Sequence, residues 1–380
     1  MKRIYFDNAA TTQVDNEVLK AMQPYFSSKY GNASSLHSFG REAKDALEES
    51  REKIAKLLKV KTNEIIFTSG GTESNNMALK RIACESKGKH IITSRIEHPS
   101  ILETCRLLEK KGFKISYLNV NKEGIVSLDE LKKAIAKDTI LVSVMHVNNE
   151  IGTIQPIEEI GKICREKGVY FHTDAVQSFG KIKLNLENVD LASFNAHKIY
   201  GPKGVGALYV KEGTNIKALL HGGKHEFGLR AGTENIPGIA GFAKAAEIAY
   251  RDMEDNDKKI KELRERALDG ILQIKDVFLN GSKEKRLSNN INVSFRYIEG
   301  ESLVLRLDNK GIACSTGSAC STKELKPSHV LLAIGLKHEE AHGSLRISLG
   351  KYNTKEEVEY FLKVLPEVVN ELRRISPFAK

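Results

Sequence analysis

An α/β fold is predicted for this 380-residue chain: a large domain with a mostly parallel sheet over residues 15–255, and a smaller α+β domain made by residues 1–14 together with 256–380. Three observations carry the prediction. From residue 64 onward, short β-branched runs alternate with amphipathic stretches, and strand–helix alternation means parallel strands covered by helices on both faces. After about residue 255 that rhythm breaks at the highly charged stretch DNDKKIKELRERALDGI. The length fits two domains at ~100–200 residues each, and 41% apolar content is enough for each to bury a core.

The elements read in order as EIIFT then ESNNMALKRIACESKG, HIITS then PSILETCRLLEKKG, KISYLNV then SLDELKKAIA, and ILVSVMHV then IEEIGKICREKG, followed by VYFHTDAV, LASFNAH and GALYVK. In the second region NNINVSFRYI reads as a strand and SLVLRL as a helix. A cysteine-bearing stretch, GIACSTGSACSTKEL, then leads to the strand RISLG and a final amphipathic helix, KEEVEYFLKVLPEVVNELRRI.

Several function classes are excluded at this level. The formal charge is +10, but lysines are interleaved with acidic residues, as in REAKDALEESREKIAKLLK. That pattern marks solvated helix faces, and nucleic-acid binding is not expected as the main function. Five scattered cysteines without a CxxC pair argue against a disulfide framework or a closed zinc site, and no metal is expected. The start, MKRIYFDNAATTQVDNE, lacks an apolar h-region, and the longest apolar runs fall short of the ~20 residues that span a bilayer. A cytoplasmic protein is expected.

In an open parallel sheet, ligands bind at the carboxyl ends of the strands. After IIFT comes SGGTESNN, residues 69–76, whose free N–H groups and Thr72 hydroxyl suit a phosphate, although an ordinary capped turn reads the same way. Neither GxxxxGK[ST] nor a strand-borne GxGxxG occurs, which argues against a nucleoside triphosphate or a dinucleotide. The following strand ends supply His98, Asn148 and Asn149, Asp174 and Gln177, then His197 and Lys198. Each alone has a structural explanation. A phosphate loop, an aromatic base, a carboxylate, an amide and a lysine on consecutive strand ends match the needs of pyridoxal 5'-phosphate. That cofactor requires an anion site, a Schiff-base lysine and a carboxylate to keep its ring nitrogen protonated. Lys198, Asp174, Gln177 and His98 fit the lysine, ring-nitrogen, ring-hydroxyl and stacking roles.

The stretches YFDNAATT, YGNASSLHSFG, FTSGGTESNN, EHPS, MHVNNEIGTIQP, HTDAVQSFGK, AHKIYGPKGVGALYV, RAGTEN, GSACS and LRISLG, in order over essentially the whole chain, resemble the NifS/IscS-type cysteine desulfurases. The resemblance implies a fold-type I pyridoxal-phosphate enzyme of the class-V aminotransferase family. Such an enzyme is an obligate homodimer that converts L-cysteine to L-alanine and loads the sulfur onto its own cysteine. Carried onto this chain, it gives Lys198 the Schiff base, Asp174 the ring nitrogen, Gln177 the ring oxygen, and His98 the stacking and acid/base role. Gly71, Thr72 and His197 bind the phosphate, with Thr233 joining across the dimer, and Asn149 and Arg346 hold the substrate carboxylate. Asn195 stands where the family usually has Ser, a bulkier but still competent phosphate donor. Sulfur delivery to an iron–sulfur scaffold, or to a tRNA-thiolation acceptor, is the implied use.

Of the five thiols, Cys320 in TGSACSTKEL is the expected nucleophile, because small neighbours permit motion, Lys323 is near in sequence, and the resemblance puts the persulfide here. Cys314 is expected to pack as a small hydrophobe, and Cys84, Cys105 and Cys164 to be buried and inert. Other readings are a selenocysteine lyase or an aminotransferase on the same frame, or a non-catalytic sulfur or metal carrier using Cys314, Cys320, His221 and His225.

Overall fold

The structure, a computed structural model, describes residues 3–317 and 327–377. The strands among them are β1 (Ile4–Tyr5), β2 (Ile65–Thr68), β3 (His90–Ser94), β4 (Lys114–Leu118), β5 (Thr139–Ser143), β6 (Tyr170–Asp174), β7 (Leu191–Asn195), β8 (Gly206–Val210), β9 (Val277–Leu279), β10 (Asn290–Phe295), β11 (Ile312–Ala313) and β12 (Ser344–Ser348).

Seven of them form one sheet in the order β2-β8-β7-β6-β5-β3-β4. The pairs from β7 through β4 are parallel, whereas β8 runs antiparallel to both β2 and β7. Apart from the edge strand β4, these strands are buried on both faces because both are covered. Ile65, Phe67, Val142, Phe171 and Phe194 enter a core under the helices Ser38–Leu58, Ile157–Lys167 and Ile236–Arg251. Ile66, Ile91, Leu141, Leu191 and Leu208 enter the opposite core, under Gly71–Glu85 and Pro99–Lys110. The strand order reverses about β3, so the carboxyl ends of β2, β3, β5, β6 and β7 border one crevice.

A second core gathers Ile4 and Phe6 with β10, β12 and the helices Met253–Leu272, Gly300–Asn309 and Lys355–Ile375. Its sheet is antiparallel, in the order β12-β10-β9, and β1 pairs with β11 in parallel. The last helix starts with a capping box: Glu357 N–H donates to Thr354 Oγ1 while Thr354 N–H donates to Glu357 Oε2, each at 3.3 Å. Where the two cores meet, the Asp15 carboxylate accepts from Tyr352 Oη at 2.6 Å and pairs with Lys351, whose ammonium lies 4.6 Å from the Tyr200 ring centroid. Burial pushes the Asp15 carboxyl up, but the hydrogen bonds from Lys351 and Tyr352 outweigh it and hold the group at about 2. Among the described residues no helix is long and apolar enough to cross a membrane.

Buried histidines stitch the large sheet. His172 lies between Ser143 Oγ at 2.9 Å and Ser193 Oγ at 3.0 Å, and burial pushes its pKa down to about 3. Unfolded, the same ring takes a proton near pH 6.5, so its share of stability is intact above that pH and drains away as pH falls toward 3. Burial holds two carboxyls up, Glu97 at about 8 and Glu150 at about 7, and these favour folding as pH falls toward 4.5. The parent chain compared with His172→Gln isolates the histidine. Denaturant unfolding at successive pH values should show the parent losing ground below pH 6.5 by about 1.4 kcal/mol per pH unit; parallel profiles would contradict this account.

Candidate active site

A cavity of about 700 Å³ opens at the carboxyl ends of the parallel strands. Of the residues expected from sequence, Gly71, Thr72, His98, Asn149, Asp174, Gln177, Asn195, His197, Lys198 and Arg346 all line it. Thr233 is exposed and is not part of that lining. Cys320 lies outside the described residues; Gly317, just before that stretch, lines the cavity.

The turn after β2 is shaped by backbone. Gly70 has φ +151°, and a Cβ on Gly71 would sit 2.7 Å from Val176 Cγ2. The helix beginning at Gly71 therefore meets the floor of the cavity without side-chain bulk, its first N–H groups free for an anion. Asn195, at the end of β7, stands beside this turn, and its Oδ1 is buried with no partner among the described residues.

Asp174, 6% exposed at the end of β6, is held from two sides. Val176 N–H donates to Oδ1 at 3.0 Å and Asn75 Nδ2 donates to Oδ2 at 2.7 Å. His98 follows β3 and caps the helix Pro99–Lys110; burial depresses its basicity, with Asp174 pulling the other way. His197 Nδ1 lies 3.1 Å from Thr11 Oγ1. Burial, then the Lys198 charge, lowers His197 to about 4, so its ring is neutral near pH 7.

The N-terminal segment supplies contacts that sequence reasoning did not assign. Lys198 Nζ donates to Ala9 O at 2.7 Å and Ala10 O at 2.6 Å, and Gln177 Nε2 donates to Ala9 O at 3.0 Å. Arg346, on β12, donates from Nη1 to Asn149 O at 3.0 Å and from Nη2 to Asp7 Oδ1 at 2.8 Å. Its Nε–H is buried with no partner among the described residues. Glu150 was missed too: its carboxylate accepts from Ser328 Oγ, and a Cβ on Gly317 would lie 2.6 Å from its Oε2. The available signals were YFDNAATT, which contains Asp7, Ala9 and Ala10, and MHVNNEIGTIQP, which contains Glu150.

Among the cysteines, Cys84 corrects an expectation: it is exposed, on the outer face of the helix Gly71–Glu85. A cysteine in an amphipathic stretch follows whichever face its position falls on, and the core face here is taken by Met77, Ala78, Leu79, Ile82 and Ala83. Cys105, Cys164 and Cys314 are buried, and burial pushes each thiol up to about 12, too high for a nucleophile near neutral pH.

Residues 4–361 match the class-V aminotransferase family. The chain belongs to that family. Among class-V aminotransferase family relatives, "Cysteine desulfurase IscS" of Dictyoglomus turgidum is 56% identical over 100% of this chain and 98% of its own length. The protein of the same name from Methanosarcina thermophila is 53% identical over 99% of this chain and 94% of its own length. A solved "NifS-like protein" superposes with a TM-score of 0.93 at 45% identity, covering 97% of this chain and 100% of that one. The class-V frame and the seven-stranded α/β architecture thus agree.

Proposed function

We propose that this class-V family member is a pyridoxal-phosphate-dependent cysteine desulfurase, converting L-cysteine to L-alanine and passing the sulfur on as a persulfide of Cys320. The observation that carries the reading is the convergence in one cavity of the Lys198 amine, the Asp174 carboxylate, the His98 ring and the glycine-opened helix start at Gly71. Relatives at 53–56% identity bear that enzyme's name.

The residues present fit the cofactor. Gly71, Thr72 and His197 would hold its phosphate together with Asn195, whose Nδ2 lies beside the Gly70–Gly71 turn and can donate to a phosphate oxygen. Asp174 would hold the ring nitrogen and Gln177 the ring oxygen. When bound, pyridoxal 5'-phosphate supplies an electron sink that makes the α-proton of an amino acid acidic. Arg346 orients the substrate, its spare Nε–H and guanidinium plane matching a carboxylate, with the Asn149 side chain beside it. Lys198 Nζ carries the proton between the substrate's α-carbon and the alanine product. The Cys320 thiolate attacks the substrate sulfur, so a carbon–sulfur bond breaks as a sulfur–sulfur bond forms, and an external thiol later reduces the persulfide to sulfide.

Phe26, Tyr30, Leu36 and Phe39 are exposed, Leu36 at 92%, and the rings of Tyr30 and Phe39 lie 5.5 Å apart. Apolar exposure of that kind supports a homodimer, in which Thr233 joins the phosphate site across subunits. A cytoplasmic location and an iron–sulfur scaffold or other sulfur acceptor complete the proposal. Incubation with L-cysteine and a thiol reductant should yield alanine and sulfide in equal amounts, and Cys320→Ala should stop sulfide release. A Cys320→Ala chain with unchanged turnover would point instead to an aminotransferase, which needs no thiol.

A further inference from the structure

His98 lines the cavity and also caps the helix Pro99–Lys110. Pro99 has no N–H, so the first donor this helix offers is Ser100, and Ser100 N–H donates to His98 Nδ1 at 3.1 Å. A ring nitrogen that accepts from an N–H carries no proton itself. Ser100 Oγ lies 2.8 Å from the same nitrogen, and it accepts from Asn75 Nδ2 at 2.9 Å. Having accepted from Asn75, the serine hydroxyl has its own proton left to aim at Nδ1. The second Asn75 Nδ2 proton goes to Asp174 Oδ2 at 2.7 Å. Asn75 is 1% exposed, Ser100 8% and Asp174 6%, so solvent does not substitute for any of these contacts.

We propose that Asn75 and Ser100 are positioning residues that fix His98 as the neutral imidazole with its proton on Nε2. In that state His98 faces the cavity as a hydrogen-bond donor, not as a base. Both donors to Nδ1 must be displaced before that nitrogen can take a proton, and displacement uncaps a buried helix end. The chain from His98 to Asp174 also conducts no proton. Asn75 sits in its middle as a primary amide that donates in both directions and has no proton to release. Asp174 and His98 are therefore oriented by one amide, and no proton passes between them along it. By elimination, proton transfer at the substrate's α-carbon falls to Lys198. That last step rests on the desulfurase reading; the tautomer does not.

Side-chain ¹⁵N–¹H correlation NMR on the ¹⁵N-labelled full chain with pyridoxal 5'-phosphate bound reads the tautomer directly. The His98 signals are identified by their loss in His98→Gln. The expected pattern near neutral pH is an unprotonated Nδ1 and a protonated Nε2. In Asn75→Ala a second His98 state should appear and kcat should fall by about 10²-fold with KM little changed, while the remaining histidine signals report that the variant has folded. Ser100→Thr, which keeps both donors, should keep the parent pattern. A proton on Nδ1, a cationic ring, or an Asn75→Ala chain identical to the parent in His98 signals and kcat would overturn the proposal. With alanine and sulfide still formed, such a result would leave the desulfurase reading intact.

Discussion

Replacing Lys198 with alanine is expected to lower alanine and sulfide formation by about 10⁴-fold or more, because one nitrogen both anchors the cofactor and moves the α-proton. Arginine should not rescue it, since a guanidinium stays charged and is neither nucleophile nor base near neutral pH. The surrounding fold should survive: the amine's contacts go to the carbonyls of Ala9 and Ala10 at the cavity floor, where water can take its place. The checks are product formation, together with loss of the bound cofactor's visible absorbance after gel filtration. A Lys198→Ala chain that keeps its colour and turns over cysteine would remove the central assignment.

The largest effect on stability is expected away from the site. Arg51, 2% exposed, meets Glu226 in a two-armed pair, Nη1 to Oε2 at 2.6 Å and Nη2 to Oε1 at 2.9 Å. The same carboxylate accepts from Phe67 N–H at 2.7 Å, Arg51 also donates to Ile65 O at 2.7 Å, and the guanidinium lies 4.9 Å from the centroids of both Phe67 and Phe227. Glu226→Ala strips the buried guanidinium of its two-armed partner, leaving it Ile65 O and the partly exposed Glu48 carboxylate at 3.3 Å, and leaves the Phe67 N–H unpaired, a loss of about 3 kcal/mol. Because β2 leads into the Gly70–Gly71 turn, cofactor affinity should fall with it. Removing both charges, as in Arg51→Met with Glu226→Leu, should recover much of the loss, since it leaves no orphaned charge. Urea unfolding of the three chains decides; a single mutant within 1 kcal/mol of the parent would mean the pair is solvated.

The sequence and the structure agree where side-chain chemistry repeats along the chain. The strand–helix rhythm was legible because β2, β3, β5, β6 and β7 are almost wholly buried and so read as short runs rich in apolar residues. Ten expected site residues fall in one cavity because strand ends are where an open sheet puts its ligand. What escaped was contact through backbone or across long separations. The carbonyls of Ala9 and Ala10 carry no mark of residue type, and Asn75 and Ser100 look like any polar residues near a helix start. Arg51 and Glu226 are 175 positions apart, so nothing local announces their pairing. Cys84 was misjudged because a lone small residue says little about which helix face it occupies.

The segment Ile4–Ala10 is tied to residues far along the chain. Ile4 pairs with Ile312, Asp7 bridges to Ser348, and Asn8 donates to Ser348 O, so the segment that holds Lys198 and Gln177 rests on His197 and Tyr200 through Thr11 and Thr12 but takes the rest of its support from a strand 340 positions further on. Closing so long a loop is slow, and until it closes the carbonyls that hold the lysine amine and Gln177 are anchored from one side alone. A chain stopped before β12 should therefore carry the large sheet without a finished pocket, because Arg346 and Ser348 both lie on that strand.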